Sequence, residues 1–474
     1  MLTAGTFDNP GRGTRACLAT LFLSALVLLL CSVAFGEEVK LPDTTVSATR
    51  SKQDITKQAR NVTVITAEQI KAMHALNVVE LLRSVPGLNL IDYVGTGATA
   101  SVDLRGFGEG AATRVLVLVD GRRVNSIDLS GADFSTITVE NIERIEVLHG
   151  PAGVLYGDNA VGGVINIITR EGKGKPSFGL GGHYGNNQTY GGRALAQGAV
   201  DKLGYFVTAA YNYTDGYRDR SRTWQENFTF NTRYYTNDTL SFLVDGGYNR
   251  ADYQMPGSLT KAEMDADREQ STRPSDWAER DDGFIRGNFR KDWGTAGVLN
   301  CDLSFRKRKA TSKWYNRREN DIQTVGFTPK YVWDSQPQGL ANRLTLGADL
   351  YYSDATLDQL NLDGSKTSST DFDWLTTALY FLDELTFARD FTLSAGARWQ
   401  RGDFDITSRP EGSPSSDKNY SDNQYAWTVG LAYRLAPASK LYARIERTFR
   451  FPVADEYFTW GGFMQLDPEK AMNY

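Results

Sequence analysis

Two segments of this 474-residue chain set cationic side chains among aromatic rings. Residues 306–318 read RKRKATSKWYNRR, and residues 218–224 read RDRSRTW. Guanidinium and ammonium groups attract anions, and they also bind the faces of aromatic rings. The residues predicted to capture a ligand in this way are Arg218, Arg220, Arg222, Trp224, Arg306, Lys307, Arg308, Lys309, Lys313, Trp314, Tyr315, Arg317 and Arg318. The alternative is a solvated charged surface without a ligand.

Catalytic chemistry has few candidates in this sequence. Glu143 and Glu146 come closest to a carboxylate pair, but their odd spacing on an alternating strand points them to opposite faces. The chain has 3 histidines, and His74 lies on a predicted helix without a second ligand at metal spacing. The sequence therefore predicts no enzyme activity, no metal site and no cofactor.

Composition favours strands and tight turns over membrane helices. The chain contains 45 Gly, 23 Tyr, 23 Phe and 9 Trp, the balance expected where strands meet turns and rings lie at a membrane interface. The net charge of -5 argues against nucleic acid as a partner. Arg12 and Arg15 precede an apolar run over residues 17–30, the layout of a secretory signal peptide, predicted here as residues 1–36. Its removal would leave Cys301 as the one cysteine, so no intrachain disulfide is expected.

The most specific segment is residues 142–170, IERIEVLHGPAGVLYGDNAVGGVINIITR, in which glycine turns separate apolar strand-like runs. Its LYG and GGVINI blocks closely resemble the last part of the plug domain of TonB-dependent outer-membrane receptors. Residues 102–106 (VDLRG) and 115–125 (VLVLVDGRRVN) resemble other plug blocks of that family. The resemblance implies a globular α+β plug, which we place at residues 37–172.

An extended, β-prone segment follows the predicted signal peptide. Residues 41–50 read LPDTTVSATR and have neither helix periodicity nor an apolar face. Next to a plug, this segment resembles the TonB box, which in the family pairs as an added strand with the energy-coupling protein TonB. The residues that the resemblance assigns to TonB binding are Asp43, Thr44, Thr45, Val46, Ser47 and Ala48.

From about residue 177 the chain alternates in polarity. Between residues 391 and 400 the odd positions are apolar and the even positions are mostly polar, and the same holds between residues 425 and 434. An apolar outer face with aromatic residues at the strand ends is typical of a transmembrane β-barrel. We therefore predict a mostly β protein in which the plug is followed by an antiparallel transmembrane β-barrel over residues 173–474.

The connections between the predicted strands are alternately short and long, as expected of tight turns at one membrane face and loops at the other. The predicted long connections are residues 214–225, 249–282, 307–321, 353–372 and 401–423. About thirteen strands fit before Phe451, whereas the family resemblance implies twenty-two. The sequence is therefore expected to be a C-terminally truncated receptor with an incomplete barrel.

Three residues are predicted to join plug and barrel: Arg105, His149 and Glu446. The resemblance implies that arginines at the positions of Arg105 and His149 pair with acidic residues inside the barrel. Strand alternation points Glu446 into the lumen, where Arg105 is its first expected partner and His149 its second. A pair with His149 would raise the pKa of the imidazole and make the contact pH-dependent. The alternative is local pairing with one of the neighbouring arginines, Arg444, Arg447 or Arg450.

The resemblance implies TonB-dependent active transport of a scarce metal chelate, and ferric siderophore is the expected class. Cobalamin is the alternative, and a passive porin is disfavoured because a diffusion pore has no use for a separate plug. Residues 449–456 (FRFPVADE) resemble a box of haem and siderophore receptors, but only His183 lies in the predicted barrel, which disfavours haem. Expected partners are TonB, the chelate, and outer-membrane lipid and lipopolysaccharide. The expected location is the Gram-negative outer membrane, with the N-terminus and plug on the periplasmic side.

Overall fold

The structure is a computed structural model that describes residues 58–474 except residues 389, 413, 437, 438, 460 and 461. The predicted signal peptide and the predicted TonB-binding residues 43–48 lie outside the described residues. No helix among the described residues is both long enough and apolar enough to cross a membrane.

The plug is built on a five-stranded sheet in the order β1-β6-β7-β4-β5. Its strands, with the separate antiparallel pair β2 and β3, are β1 (Asn61–Ile65), β2 (Leu88–Asp92), β3 (Ala100–Leu104), β4 (Val115–Val119), β5 (Arg122–Arg123), β6 (Ile142–His149) and β7 (Gly163–Thr169). All five residues of β4, which reads VLVLV, are buried, as expected for a strand covered on both faces. The apolar residues predicted as plug strands therefore form the centre of its core.

Three short helices accompany this sheet: α1 (Ala67–Met73), α2 (Val78–Leu82) and α3 (Gly153–Tyr156). The T-A-E-Q spacing from Thr66 to Gln69 is that of a capping box, and the structure has one, since each side chain bonds the other residue's backbone N–H. Asn77 caps α2 through its side chain. Residues 157–162 then return the chain through glycine turns to β7. This path leaves α3 packed close to the barrel wall.

The barrel wall is an antiparallel sheet of fourteen strands in sequence order. The strands are β8 (Ser177–Tyr184), β9 (Tyr190–Val200), β10 (Leu203–Thr214), β11 (Thr223–Asn237), β12 (Leu240–Gln254), β13 (Trp277–Asp292), β14 (Val298–Trp314), β15 (Asn316–Ser335), β16 (Ala341–Leu360), β17 (Lys366–Phe387), β18 (Phe391–Pro410), β19 (Ser416–Ala436) and β20 (Ser439–Arg450), with β23 (Glu469–Asn473) paired to β20. Among the described residues, thirteen strands precede Phe451, in agreement with the predicted number. β8 and β23 are the edge strands.

Several connections predicted to be long are in fact strand. The predicted connection 307–321 is reduced to a turn at Tyr315, because β14 runs to Trp314 and β15 begins at Asn316. β16 and β17 likewise extend into residues 353–372. A longer connection, residues 255–276, contains α4 (Lys261–Ala266). We call the two barrel ends the short-turn end and the long-connection end.

The strands are longer than predicted because their polarity pattern reverses along their length. Near the short-turn end of β17, Leu379 and Phe381 face outward and are 57% and 44% exposed. Near the long-connection end of the same strand, Phe372 and Trp374 point inward and are buried, while Asp371 and Asp373 face outward. A sequence prediction that looks for apolar residues on the outward face therefore ends each strand at the point where the outward face becomes polar.

Candidate functional site

One wall of the barrel contacts the plug through four arginines. Arg280 and Arg286 lie on β13, and Arg306 and Arg308 lie on β14; all four reach residues 120–133 of the plug. We call these strands the arginine wall. The contacts join Arg280 to Asp133 at 2.9 Å, Arg286 to the Asp120 carbonyl at 2.6 Å, Arg306 to the Val124 carbonyl at 2.6 Å, and Arg308 to Asp128 at 3.2 Å. Each arginine side chain is nearly buried.

These contacts keep the plug carboxylates ionised. Burial acts to raise the pKa of Asp128, but Arg308, together with Ser130, Asn320 and Ser126, outweighs burial and lowers the pKa to about 2. Asp133 is also buried, and Arg280 similarly helps to lower its pKa. Buried, hydrogen-bonded ion pairs therefore fasten this side of the plug.

A second wall, formed by β17 to β20, contacts the plug mainly by packing. We call it the aromatic wall after its inward-facing cluster, which consists of Phe372, Trp374, Phe404, Tyr420, Phe449, Phe451 and Tyr457. The ring centroids of Phe404 and Tyr420 are 4.6 Å apart, and those of Trp374 and Phe404 are 5.2 Å apart. Val154 of α3 belongs to the same buried cluster, so the cluster continues from wall to plug.

The connection from β20 to β23 folds into this cluster. This inserted segment, residues 451–468, contains a 3-10 helix (Ala454–Tyr457) and the two-residue strands β21 (Phe458–Thr459) and β22 (Gly462–Phe463). Its backbone N–H groups bond the plug, from Ala454 to the Ile127 carbonyl at 2.8 Å and from Phe451 to Asp158 at 2.9 Å. The FRFPVADE motif is thus held inside the barrel against the plug.

An ion-pair network continues from the inserted segment to the plug. Arg450 contacts Glu456 at 2.7 Å and Glu469 at 2.8 Å. Glu469, on β23, also pairs with Arg114 of the plug, whose Nε lies 3.0 Å from Oε2. Sequence reasoning missed Arg114, as it missed Arg280 and Arg286, because nothing local distinguishes these arginines from surface ones.

The predicted contact between Glu446 and the plug is made with different partners. Glu446 pairs with Arg444 on its own strand, which is the local alternative left open by the sequence. The backbone N–H groups of Gly153 and Val154 in α3 face the same carboxylate. Pairing with Arg105 or His149 was therefore the wrong expectation, because the lumen near Glu446 is occupied by the start of α3.

Arg105 and His149 lie together on another part of the plug. The Nη1 atom of Arg105 is 3.4 Å from the Asn473 Oδ1 atom on β23, so Arg105 does reach the barrel. The Nε2 atom of His149 is 2.9 Å from Thr63 Oγ1. Partial burial and the charge of Arg105 lower the pKa of His149. The expected rise in this pKa was therefore wrong, because the imidazole neighbours a cation and not a carboxylate.

The cations predicted on the 306–318 loop are divided between two faces of β14. Arg306 and Arg308 point inward to the plug. Lys307 and Lys309 point outward and pair with Asp321, at 3.6 Å and 3.1 Å. At the tip, Trp314 and Tyr315 stack with centroids 6.4 Å apart and are 65% and 67% exposed. The interpretation of Arg306 to Lys309 as an exposed basic loop is wrong, because alternation continues to Trp314.

The remaining predicted cations near this tip have mixed surroundings. Arg317 contacts Glu319 at 2.6 Å, and Arg318 lies 4.0 Å from Asp455 of the inserted segment. The side chain of Lys313 makes no hydrogen bond or ion pair within the part of the chain that the structure describes. Arg273 from the connection 255–276 lies 3.6 Å from the centroid of Tyr315, so a cation and two rings do meet here.

The second predicted basic segment joins two long connections. Arg218 donates to the carbonyls of Gly257, at 2.5 Å, and Gln270, at 2.7 Å. Arg222 pairs with Asp252 at 3.5 Å, and the ring of Trp224 lies 5.6 Å from the Arg250 guanidinium carbon. Arg220 is exposed and has no hydrogen-bond or ion-pair partner among the described residues. Arg218 therefore joins the connection between β10 and β11 to the connection 255–276.

The start of the described chain is attached to the barrel at the short-turn end. Lys440 of β20 donates to the Gln58 carbonyl at 2.8 Å and to the Arg60 carbonyl at 2.7 Å. Over residues 58–474, apart from the six omitted positions, no group of three or more His, Cys, Asp or Glu side chains could hold a metal ion.

Both halves of the chain match known family models. Residues 54–164 match the model described as TonB-dependent Receptor Plug Domain, and residues 167–474 match TonB dependent receptor-like, beta-barrel. The boundary between the two matches falls within β7, the last strand of the plug sheet in chain order.

Individual relatives include two curated proteins and a solved structure. The vitamin B12 transporter BtuB of Vibrio vulnificus is 26% identical over 479 aligned positions, covering 96% of this chain and 70% of that protein. The vitamin B12 transporter BtuB of Photobacterium profundum is 27% identical, with the same coverage. The crystal structure of the ferric citrate transporter FecA in the unliganded form superposes with a TM-score of 0.74 at 20% identity, covering 88% of this chain and 67% of that one.

Proposed function

The chain belongs to the TonB-dependent receptors, and from that premise we propose that it imports a scarce metal chelate across the outer membrane with energy delivered through TonB. The observation that carries this proposal is the attachment of the plug to both walls of the barrel. A plug held by both the arginine wall and the aromatic wall would obstruct diffusion of a solute through the barrel. Movement of the plug therefore needs an energy input, which a passive porin lacks.

We infer that the short-turn end faces the periplasm. Gln58 is bound to Lys440 at this end, and the predicted TonB-binding residue Ala48 is ten positions earlier in the chain. We retain the division into a signal peptide (1–36), TonB box and plug (37–172) and barrel (173–474). The outward-facing apolar band would contact lipid, and the polar outer faces above it would contact lipopolysaccharide.

Two chelate classes remain candidates, and different observations favour them. The relatives that align along 96% of this chain are named vitamin B12 transporters, which supports a corrinoid. The exposed Trp314–Tyr315 pair suits the flat face of a macrocycle or an aryl group. Ferric siderophore, the class expected from the sequence, loses part of its support because Arg306, Arg308 and Arg218 are already engaged. Arg220 and Lys313 remain as cations for an anionic chelate.

The test is uptake of radiolabelled cobalamin and of several ferric siderophores by cells producing this chain, with and without functional TonB. We expect TonB-dependent import of one class. Deletion of residues 43–48 should abolish that import and leave surface binding unchanged, because the segment transmits energy and does not touch the ligand. Import that persists without TonB would contradict active transport. Binding of neither class would contradict the proposed substrate.

A further inference from the structure

Three of the cavities between the plug and the barrel wall share lining residues. Cavity A, of about 70 Å³, is lined by Arg122, Tyr351, Trp374 and Gln400, among others. Cavity B, of about 40 Å³, shares Arg122 with cavity A. Cavity C, of about 70 Å³, shares Asp120, Thr169 and Asn231 with cavity B and reaches Lys330 near the short-turn end. The cavities thus follow one another between the plug and the strands from β10 to β18.

Arg122 lies where cavities A and B meet, at the start of β5. Its guanidinium carbon is 3.7 Å from the centroid of the Phe284 ring. Within the described part of the chain it has no hydrogen-bond or ion-pair partner, because the nearby Asp245 and Asp282 are engaged by Arg286 and Arg306. Burial and Arg306 lower the pKa of Arg122 to about 10, so it remains charged at neutral pH. The half-buried guanidinium therefore contacts an aromatic ring and has no anion bonded to it.

Two further donors line cavity A without an acceptor. The Nε2 atom of Gln400 is buried and unpaired. Its orientation is fixed, since Oε1 of the same amide accepts from Arg398 at 2.8 Å. The indole Nε1 of Trp374 is also buried and unpaired. Gln400 is 0% and Trp374 is 6% exposed, so bulk water does not satisfy either group.

The chemistry of the lining favours an anion near Arg122. Ser304, Thr324 and Ser353 contribute hydroxyl groups to cavity A, and Arg123 adds a second guanidinium, held by the Tyr156 carbonyl. The one carboxylate of this lining is Asp158. It accepts from the Phe451 N–H, and burial raises its pKa. Cavity A therefore presents donors that an oxyanion would pair with.

We propose that Arg122, Gln400 and Trp374 form a transit site for an oxyanion, a carboxylate or phosphate group of the transported chelate, between the plug and the barrel wall. This inference rests on the proposed transport function and deepens it. The site lies below the inserted segment, so a ligand would reach it only after leaving the outer surface. It would hold the anionic group while the plug moves, and cavities B and C continue the path toward the short-turn end.

The test uses the purified full chain in detergent, titrated separately with inorganic phosphate and with citrate at constant ionic strength. We expect one or both anions to bind, and the two titrations distinguish phosphate from carboxylate recognition. Arg122→Gln should weaken binding by roughly tenfold, as expected for one charge-assisted hydrogen bond. Arg122→Lys should retain most of the affinity, and Arg268→Gln, at an exposed arginine of the connection 255–276, serves as the matched control. Unchanged binding in Arg122→Gln, or no binding by the wild-type chain, would overturn the site.

Two further readouts separate transit from a structural role. Arg122→Gln should change the melting temperature little, because the half-buried guanidinium makes no hydrogen bond or ion pair among the described residues; a clearly lower melting temperature would mean that Arg122 supports the fold. A structure determined with phosphate present should show an anion at Arg122, and ordered water alone would contradict the proposal.

Measurements of chelate import by cells test the transit site separately from the proposed transport function. In cells, Arg122→Gln should slow chelate import by roughly tenfold, with unchanged surface binding, if the lost contact is one charge-assisted hydrogen bond. Unchanged import would overturn the transit role. Failure of the wild-type chain to import any chelate would overturn the proposed function, whereas the phosphate and citrate titrations would still decide the anion site.

Discussion

On the arginine wall, buried cations reach the plug one by one, whereas on the aromatic wall, packed rings continue from strand to inserted segment to α3. The arginine wall lines cavities B and C, next to which Asn231 Oδ1 on β11 is buried and unpaired, and cavity A lies between the two walls. In the aromatic wall Phe372, Phe449, Phe451 and Tyr457 are fully buried. Ion pairs beside water-sized spaces can exchange partners individually. Packed rings must move together, because opening a gap between them loses contacts on both sides.

The largest expected effect is on the aromatic wall. Phe404 stacks on Trp374 and Tyr420, so Phe404→Ala leaves a cavity that the neighbours cannot fill. We expect it to lower the free energy of unfolding by about 3–5 kcal/mol, measured by urea unfolding in detergent micelles. Phe404→Leu is the matched control and should lose clearly less. Equal losses in the two variants would show that ring packing does not stabilise this wall.

A smaller effect is expected when one contact of the arginine wall is removed. Arg308→Gln leaves Asp128 buried, with Ser130 and Asn320 as remaining donors. We expect a loss of about 2 kcal/mol, detected as faster hydrogen exchange in residues 120–133. Adding Asp128→Asn should recover much of this loss, since no uncompensated charge remains. Lys309→Gln, on the outward face of the same strand, should change exchange little. An equal effect of Lys309→Gln would contradict the assignment to the buried pair.

Acid should release the arginine wall before the aromatic wall. The pKa of Asp128 in the folded chain is about 2, below its ordinary value of 3.8. The ion pair therefore contributes its full stability above the ordinary value and loses it as the pH falls through that value toward 2. In Arg308→Gln this acid-dependent loss should be smaller, because burial is no longer offset by Arg308 and the folded pKa of Asp128 rises toward its ordinary value. Hydrogen exchange in residues 120–133 against pH measures both. Simultaneous release of α3 and residues 120–133 would erase the distinction between the walls.

The smallest effect is expected at His149, which lies away from both walls. Its pKa is lowered in the folded chain, so its contribution is present above its ordinary value near 6.5 and falls as the pH drops below that value. His149→Arg adds a charge next to Arg105, and we expect it to lower the free energy of unfolding of the plug by less than about 1 kcal/mol. His149→Gln, which can still bond Thr63, is the control. A more stable plug in His149→Arg would instead support the predicted ionic contact between position 149 and an acidic residue of the barrel.

Sequence reasoning succeeded where the fold depends on local pattern. The Thr66 capping box, the buried VLVLV strand and the thirteen strands before Phe451 follow from residue spacing and alternation. The method underestimated strand length because it assumed one polarity pattern along each strand. Phe372 and Trp374 point inward at the same height at which Asp371 and Asp373 point outward, and this reversal carries no local mark of its own.

The candidate site was less predictable because it depends on which inward residues meet. Arg306 and Arg308 have the same local sequence character as Lys307 and Lys309, and only the facing plug loop makes the first two structural. Glu446 was correctly placed in the lumen, but its neighbours are Arg444 and the backbone of α3. Arg122 gave no signal in the sequence, since its lack of a partner is a property of the assembled interface.

Lys440 also determines how tension would spread through the molecule. A pull on the chain ahead of Gln58 acts on two ammonium–carbonyl hydrogen bonds, and therefore on β20, before it reaches the β1–β6 ladder that starts at Asn61 and His149. The ladder has five residue pairs, so the two Lys440 bonds are the weaker attachment and would break first. A small force would therefore break only the contact with β20, and a larger force would be needed to separate β1 from the plug sheet.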